Sequence, residues 1–448
     1  MVKSDIDKII NVKLLLLLII DVTILSYGHF VSNKIIIFIA LLFFIFIVIS
    51  NRNSKFFPIM LFYLPWSPIM KFTPGTLTLY SIIIPIFFLL FFYQNKKISI
   101  NYNVLIITSI MGVLTLFVKF FHGYTPSSGY FMFIIMLFFL PTYFNTYKGQ
   151  ISFEKSVLYM SIGVIGACIS SETLMKYPHM RGFINVSTWD SLGLTRLSGF
   201  NGDPNYYSAQ ILVAIAGLLI ILLTKRSIPL LLLTLPQLSA LIYFGLQSIS
   251  KMFLFILIIL IGLWGVALIH LLGIVKSKKY LVLLSVVCII GFFIFLNNSK
   301  ELIDMYLIRF ELSNNVNSLS SGRSNIAIKY LIFFENNLLD LLFGQGYTEK
   351  YPAFGKSSHN VIIEIIYQFG VVGSILLIVW IYYLNKSVLL KKKFFSYFTI
   401  LPTLILIIAC FLPWLSLDVV FADEFFYVTC LFLLGKSYLI QCMGKEKK

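Results

Sequence analysis

Uninterrupted apolar runs recur along the chain, many of the roughly 17 to 25 residues that cross a bilayer as helix, with short polar turns between them. They fall near 9–28, 35–50, 57–70, 76–93, 102–120, 128–145, 156–173, 205–223, 228–245, 251–272, 280–297, 359–384, 396–414 and 422–440. That is about 14 spans. The run 57–70 is short and carries Pro58, Pro65 and Pro68, which predicts a broken or re-entrant element. Two polar stretches are far longer than turns, about 174–204 and about 298–358. The pattern predicts an all-α polytopic membrane protein, a single integral domain over 1–448. Composition agrees: 59% hydrophobic residues and 12% charged leave too little polar cover for a soluble core. The first run, Ile9 to Tyr27, has no small-residue cleavage site and more spans follow, so it reads as a span rather than a leader.

Charge orients this pattern. The net charge of +17 is spread as short lysine clusters between apolar runs. That usage sets membrane orientation and meets anionic lipid; it does not point to nucleic acid. With Lys3, Lys8 and Lys13 in the cytoplasm, the inner loops carry Arg52/Lys55, Lys96/Lys97, Lys148/Lys155, Lys225/Arg226, Lys276/Lys278/Lys279 and Lys386/Lys391/Lys392/Lys393. The tail, Lys445/Lys447/Lys448, is also inside, and the short outer loops hold only Lys34, Lys71, Lys119 and Lys251. The alternation requires 57–70 to count as a crossing. Both termini are then cytoplasmic and both long loops external. Those loops hold Arg181, Arg196, Arg309 and Arg323, four of the six arginines in the chain. Arginine's planar fork grips phosphate in bidentate fashion, which lysine does less specifically. The skew points to a phosphorylated ligand outside; the alternative is that long translocated loops escape the charge rule and need some basic residues.

Three segments carry the candidate chemistry. In RLSGFNGDPNYYSAQ, residues 196–210, Gly199 and Gly202 permit tight turns, Asp203 is placed to cap a helix, and Pro204 fits its first turn. Capping does not account for Arg196, which can share an anion with the helix's free N–H groups, or be a plain loop arginine. In residues 318–347, Ser320, Ser321, Gly322 and Arg323 precede a stretch where Ile326, Tyr330, Phe333 and Phe334 share one face. This predicts an amphipathic surface helix near 323–342, its apolar face on the membrane domain, before Gly344 and Gly346 break the chain. In residues 357–377, His359 and Asn360 stand at the entry to a span, with Glu364, Gln368, Gly370 and Gly373 inside it. A carboxylate that far into a membrane helix faces the protein interior. His359 can orient a hydroxyl or take its proton, or simply cap a helix. A weaker signal is the turn SISK, 248–251, where Lys251 offers another cation. His29, His122, His179 and His270 lack ligand-like spacing. Cys168, Cys288, Cys410, Cys430 and Cys442 lie in or beside apolar runs without paired spacing, which predicts neither metal site nor disulfide. No repeat of matched, interrupted helices marks a secondary transporter.

Taken in order, these pieces resemble the Wzy polymerase and O-antigen ligase superfamily: R-x-S-G-F-x-x-D-P-N at 196–205, S-I-S-K at 248–251, S-G-R at 321–323, F-G-x-G at 343–346 and H-N-x-x-x-E-x-x-x-x-x-G-x-x-G at 359–373. The likeness covers the second half of the chain; the first half is similar in hydropathy only. Many members carry Arg where Lys251 stands here, and often a Trp in the region filled by Ile326 to Tyr330. The resemblance implies a GT-C-like, metal-independent glycosyltransferase with no cofactor, in the bacterial cytoplasmic (inner) membrane, acting at the outer face on undecaprenyl-diphosphate-linked oligosaccharides. Flippase and chain-length regulator proteins would be its partners. By position, Arg196 and Arg323 would hold the diphosphate and His359 would act on the acceptor hydroxyl. Asp203, Asn205, Lys251, Arg309, Asn360 and Glu364 would support them.

The chemistry is self-consistent. A lipid diphosphate carries an activated anomeric carbon, and arginines with helix N-termini stabilise its departure without a metal. No P-loop or Rossmann glycine pattern exists to cradle a nucleotide. The size and span count favour a polymerase of lipid-linked repeat units (O-antigen or capsular polysaccharide) over a ligase. A flippase or transporter of the same lipid-linked sugar is the third expectation; it predicts charge in mid-span and pseudo-symmetric halves, whereas intramembrane charge is sparse in this sequence and the polar residues gather at one face, which favours an enzyme.

Overall fold

The computed structural model describes residues 11–94, 98–184, 188–189, 194–225, 227–272, 300–311, 322–348, 350–351, 354–389 and 397–443. The expected span 280–297, the Arg181 side chain and Ser320–Ser321 lie outside what is described. The helices are α1 (Val12–Phe30), α2 (Lys34–Ser50), α3 (Phe56–Tyr63), α4 (Leu79–Gln94), α5 (Tyr102–Phe121), α6 (Ser128–Thr146), α7 (Phe153–Leu174) and α8 (Pro204–Thr224). They continue with α9 (Ile228–Gln247), α10 (Lys251–Leu272), α11 (Lys300–Glu311), α12 (Arg323–Asn336), α13 (Leu338–Phe343), α14 (Val361–Val388), α15 (Tyr397–Phe411) and α16 (Asp423–Met443). A two-residue antiparallel ladder, Thr188–Trp189 with Leu194–Thr195, is the one strand pairing among the described residues.

Ten of these helices (α1, α5 to α10 and α14 to α16) are long and apolar enough to cross a membrane. The chain is a mainly helical, multi-pass membrane protein. Three expected spans are shorter than the others: α2, α4, and α3 with its 3-10 continuation Leu64–Ile69. At 1.5 Å per α residue and about 2.0 Å per 3-10 residue, the last reaches only about 24 Å, against a hydrocarbon core of about 30 Å. It is buried on nearly every side, from Phe56 through Trp66 to Ile69. An element apolar all round belongs inside a bundle, and the prolines fit where it changes from α to 3-10. Gly163 lets it approach α7: a Cβ there would lie 2.1 Å from the Phe62 carbonyl oxygen.

At the centre lies α8, with 94% of its span buried, packed against α7, α9, α10, α15 and α16. Its start follows the expected chemistry. The Asp203 carboxylate accepts from the Asn205 N–H at 2.6 Å, and Pro204 occupies the first turn. Replacing Asp203 by Ala therefore costs about 1 kcal/mol of stability, visible as a lowered midpoint of thermal unfolding of the purified protein.

The segment after α13 supplies the second organising contact. α14 is interrupted at Gly370, whose backbone is left-handed at φ 65°. The carbonyls exposed just before the break are taken by the inserted loop: Gln345 N–H donates to Tyr367 O at 2.8 Å and Gly346 N–H to Gln368 O at 3.0 Å. The Gln368 side chain closes the insert, accepting from Thr348 N–H at 2.6 Å and donating to Thr348 O at 2.7 Å. From the other side, buried Lys119 on α5 donates to Tyr347 O at 2.5 Å. Lys119, expected in an outer loop, is thus in the last turn of α5. The amphipathic α12 packs Ile326, Tyr330 and Phe334, with Phe333 at the edge, against Tyr367 of α14.

Candidate functional site

The site forms where the start of α8 meets the turn between α9 and α10. Arg196 Nε donates to the Ser248 carbonyl at 3.0 Å, and Leu197 N–H donates to Gln247 O at 3.1 Å. Ser250 Oγ donates to the Asn205 side-chain oxygen at 2.9 Å. The turn is tight: Ile249 sits at φ 47°, unusual for a β-branched residue, and a Cβ on Gly245 would strike the Phe253 ring at 2.1 Å. The S-I-S-K segment is therefore a rigid corner that presents Lys251 at the start of α10. α11 docks on the same corner through the Tyr306 hydroxyl, which donates to Leu246 O at 3.3 Å. That contact brings Arg309 in. Arg323 opens α12 directly after Gly322, whose φ of 81° suits glycine.

These elements enclose a cavity of about 570 Å³ whose cationic wall is Arg196, Lys251, Arg309 and Arg323, with Asn205 beside them. The rest of the lining is largely apolar, supplied by Leu254, Phe255 and Ile258 of α10 and Phe310 of α11. Phe255 and Ile258 are each 62% exposed, so the cavity opens sideways onto an apolar flank of the bundle. Arg309 is buried, and Arg196 and Arg323 are half-buried. Burial disfavours the charged form of all three guanidiniums, and Arg309 is pushed down to about 10 with Arg196 and Arg323 as further repulsive neighbours. Asp203 works in the opposite direction on Arg196 and Arg323. All three remain cationic at neutral pH. One nitrogen of Arg196, Nη2, is buried with no hydrogen-bond partner among the described residues. Crowded, partly desolvated guanidiniums with donor capacity left over are a site for a multiply charged anion.

His359 does not line this cavity. It stands in the loop before α14 at φ 52°, and its Nδ1 lies 3.1 Å from Asp418 Oδ2. Ser357 Oγ donates to the same carboxylate oxygen. Asp418 belongs to the loop Pro413–Phe421, which reaches the cavity wall: Ser416 Oγ lies 2.9 Å from the sulfur of Met252. Asp418 is also one of the carboxylates whose charge acts on Arg323. The acid thus contacts His359 and acts electrostatically on Arg323. No motif marks it in the sequence; its only signal is that it is one of 18 acidic residues and lies between two spans.

Asn360 and Glu364 hold this loop in place. Asn360 caps α14, accepting from Ile362 N–H and Ile363 N–H at 3.0 and 3.3 Å, and donates to Leu415 O at 3.1 Å. Glu364 is fully buried and accepts from Tyr351 Oη at 2.8 Å, Gln368 Nε2 at 2.7 Å and Ser358 Oγ at 3.1 Å. Ser358 precedes His359, so this carboxylate fixes the backbone on which the imidazole is mounted. Of the residues expected at the site, Arg196, Arg323, Arg309, Lys251 and Asn205 line one cavity; Asp203 does not line it but caps the helix that carries Asn205, and His359, Asn360 and Glu364 lie in the loop and helix start linked to it through Asp418. No family model, curated protein or solved structure matches this chain. Among the described residues no group of three or more His, Cys, Asp or Glu is arranged to hold a metal.

Proposed function

We propose that the protein is a glycosyltransferase that polymerises lipid-linked oligosaccharide repeat units, moving the growing glycan from undecaprenyl diphosphate to the next lipid-linked unit. The observation that carries this reading is the mixed lining of the cavity: four cations together with apolar side chains, two of which, Phe255 and Ile258, are exposed on the apolar flank of α10. A soluble anion needs only the first feature. A diphosphate bearing an isoprenoid chain needs both, and it can enter sideways from the bilayer. The resemblance of the ordered motifs to the Wzy polymerase and O-antigen ligase superfamily supports this substrate class, and the lysine clusters between the spans support a cavity at the outer face, in this reading that of the bacterial cytoplasmic membrane.

In this mechanism the bond between the anomeric carbon and the diphosphate oxygen breaks while the acceptor hydroxyl oxygen bonds to that carbon. Arg196, Arg323, Arg309 and Lys251 take up the charge that gathers on the departing diphosphate. His359, held through Nδ1 by Asp418, receives the acceptor's proton on Nε2. His359→Ala lowers turnover by the 10²- to 10⁴-fold typical of general-base loss. Asp418→Asn lowers it less, and both leave binding of the lipid diphosphate unchanged in a competition assay. Unchanged product formation in His359→Ala removes the base role.

A second reading, transport of the same lipid-linked sugar, is favoured by Asp21. This carboxylate is buried midway along α1 and accepts from the Tyr63 hydroxyl at 2.5 Å, and buried acid in a span is a feature of transporters. A gel of surface polysaccharide from a strain lacking the gene separates these readings. Single repeat units without a ladder support the polymerase. An intact ladder stranded on undecaprenyl diphosphate indicates a ligase, and repeat units trapped on the cytoplasmic side indicate a flippase.

A further inference from the structure

At the far end of α8, about 30 Å from the arginine cavity by the length of that helix, a second cavity of about 490 Å³ opens between the ends of α6, α7, α8, α14 and α16. The proposed reaction does not use it. Its wall carries Lys148, Lys225, Glu154, Ser152, Tyr438 and Gln441. Lys225 Nζ is held 3.1 Å from Glu154 Oε1, and Lys148 Nζ donates to the Lys386 carbonyl at 2.8 Å. Both ammonium groups are thus anchored by one contact and keep further N–H donors. The first turn of α7 adds to them: Ser152 caps it by accepting from Lys155 N–H at 3.2 Å, and the Phe153 and Glu154 positions at this positive helix end line the cavity. Two aromatic residues also line it, Tyr438 and the largely buried Phe153, at 5.2 Å between ring centroids.

We infer that this second cavity binds a phosphoryl group, that of a phospholipid headgroup from the leaflet at this end. Two anchored lysines and a helix N-terminus supply the donors. Tyr438 and Phe153 offer the half-polar, half-apolar surroundings that a headgroup meets at the level of the glycerol backbone. Basic pockets between membrane helices are a recurrent form of headgroup recognition. The inference is independent of the glycosyltransferase reading.

The test uses the full-length protein purified in detergent, with phosphatidylglycerol, diacylglycerol and inorganic phosphate as probes. Retention is read by native mass spectrometry and protection by thermal unfolding. The expected result is that phosphatidylglycerol is retained and raises the unfolding midpoint, while diacylglycerol does neither. In the Lys148→Gln/Lys225→Gln double variant its binding weakens by about thirty-fold, the loss of two lysine–phosphate contacts. Lys148→Gln alone, which leaves the Lys225–Glu154 pair intact, shows a smaller loss in a fold that is not in question. Protection by inorganic phosphate equal to that by the lipid supports the phosphoryl site and overturns the lipid as its source. Equal retention of phosphatidylglycerol by the wild type and both variants, or equal retention of diacylglycerol, overturns the inference.

Discussion

Arg196→Ala and Arg323→Ala each abolish long-chain polysaccharide while the protein accumulates at its normal level. Both side chains line the cationic cavity. Arg196 is held toward it by the Ser248 carbonyl through Nε, which leaves Nη2 buried and unbonded among the described residues. Removing one preorganised donor from a site that stabilises developing charge costs roughly 2.7–4 kcal/mol, or 10²- to 10³-fold in rate. The lysine replacements keep the charge and lose the fork, so Arg196→Lys and Arg323→Lys recover activity only in part. Arg309→Ala removes a third cation from the same cavity and lowers turnover as well, though the burial of this side chain makes part of the effect structural. Full-length polymer from both alanine variants contradicts the assignment of this cavity.

The second large effect is on folding. A Cβ on Gly370 would lie 2.2 Å from the Leu342 carbonyl oxygen, and one on Gly344 would lie 2.5 Å from the Gly370 amide nitrogen. Both glycines also occupy left-handed backbone, at φ 65° and 78°. Neither contact can relax by turning a side chain, because the obstacle is backbone on both sides. Gly344→Ala and Gly370→Ala therefore each destabilise by about 3 kcal/mol or more. In a membrane extract this reads as loss of monodisperse protein on size exclusion. Gly355→Ala is the control: it has positive φ but nothing within 4 Å, and it stays folded. Normal folding of the Gly344 and Gly370 variants would mean that the inserted loop does not dock in the break of α14.

These two results separate what the chain spells out locally from what only packing creates. The start of α8 is legible because capping is local: Asp203, Pro204 and Asn205 stand next to one another, and the structure joins them as their chemistry requires. The amphipathic face of α12 is legible for the same reason, since Ile326, Tyr330 and Phe334 repeat at helical spacing. The arginine skew between loops and lysine clusters points to a cationic site, but not to the corner at Ser248–Lys251 that assembles it. That corner depends on the turn between α9 and α10 meeting Arg196 and the start of α8, and on α11 meeting α9, contacts made across more than 40 residues of sequence. The F-G-x-G segment looks like a simple breaker; its use as an insert that satisfies the carbonyls of a broken helix has no local signature. Asp418 is invisible for a related reason. A lone acid after a span gains meaning only when folding brings His359 to 3.1 Å from it. Hydropathy likewise marks 57–70 as apolar without showing that the segment is enclosed by the bundle.

The most direct measurement is reconstitution of the purified protein with a synthetic undecaprenyl-diphosphate-linked repeat unit, in the presence of EDTA, with wild type, Arg196→Ala and His359→Ala side by side. The account predicts that the wild type forms a ladder of lengthened lipid-linked glycan and releases undecaprenyl diphosphate in step with it. Arg196→Ala loses both the product and the binding of the lipid diphosphate, and His359→Ala loses product while still binding. No lengthened product from the wild type, or equal ladders from all three proteins, contradicts it.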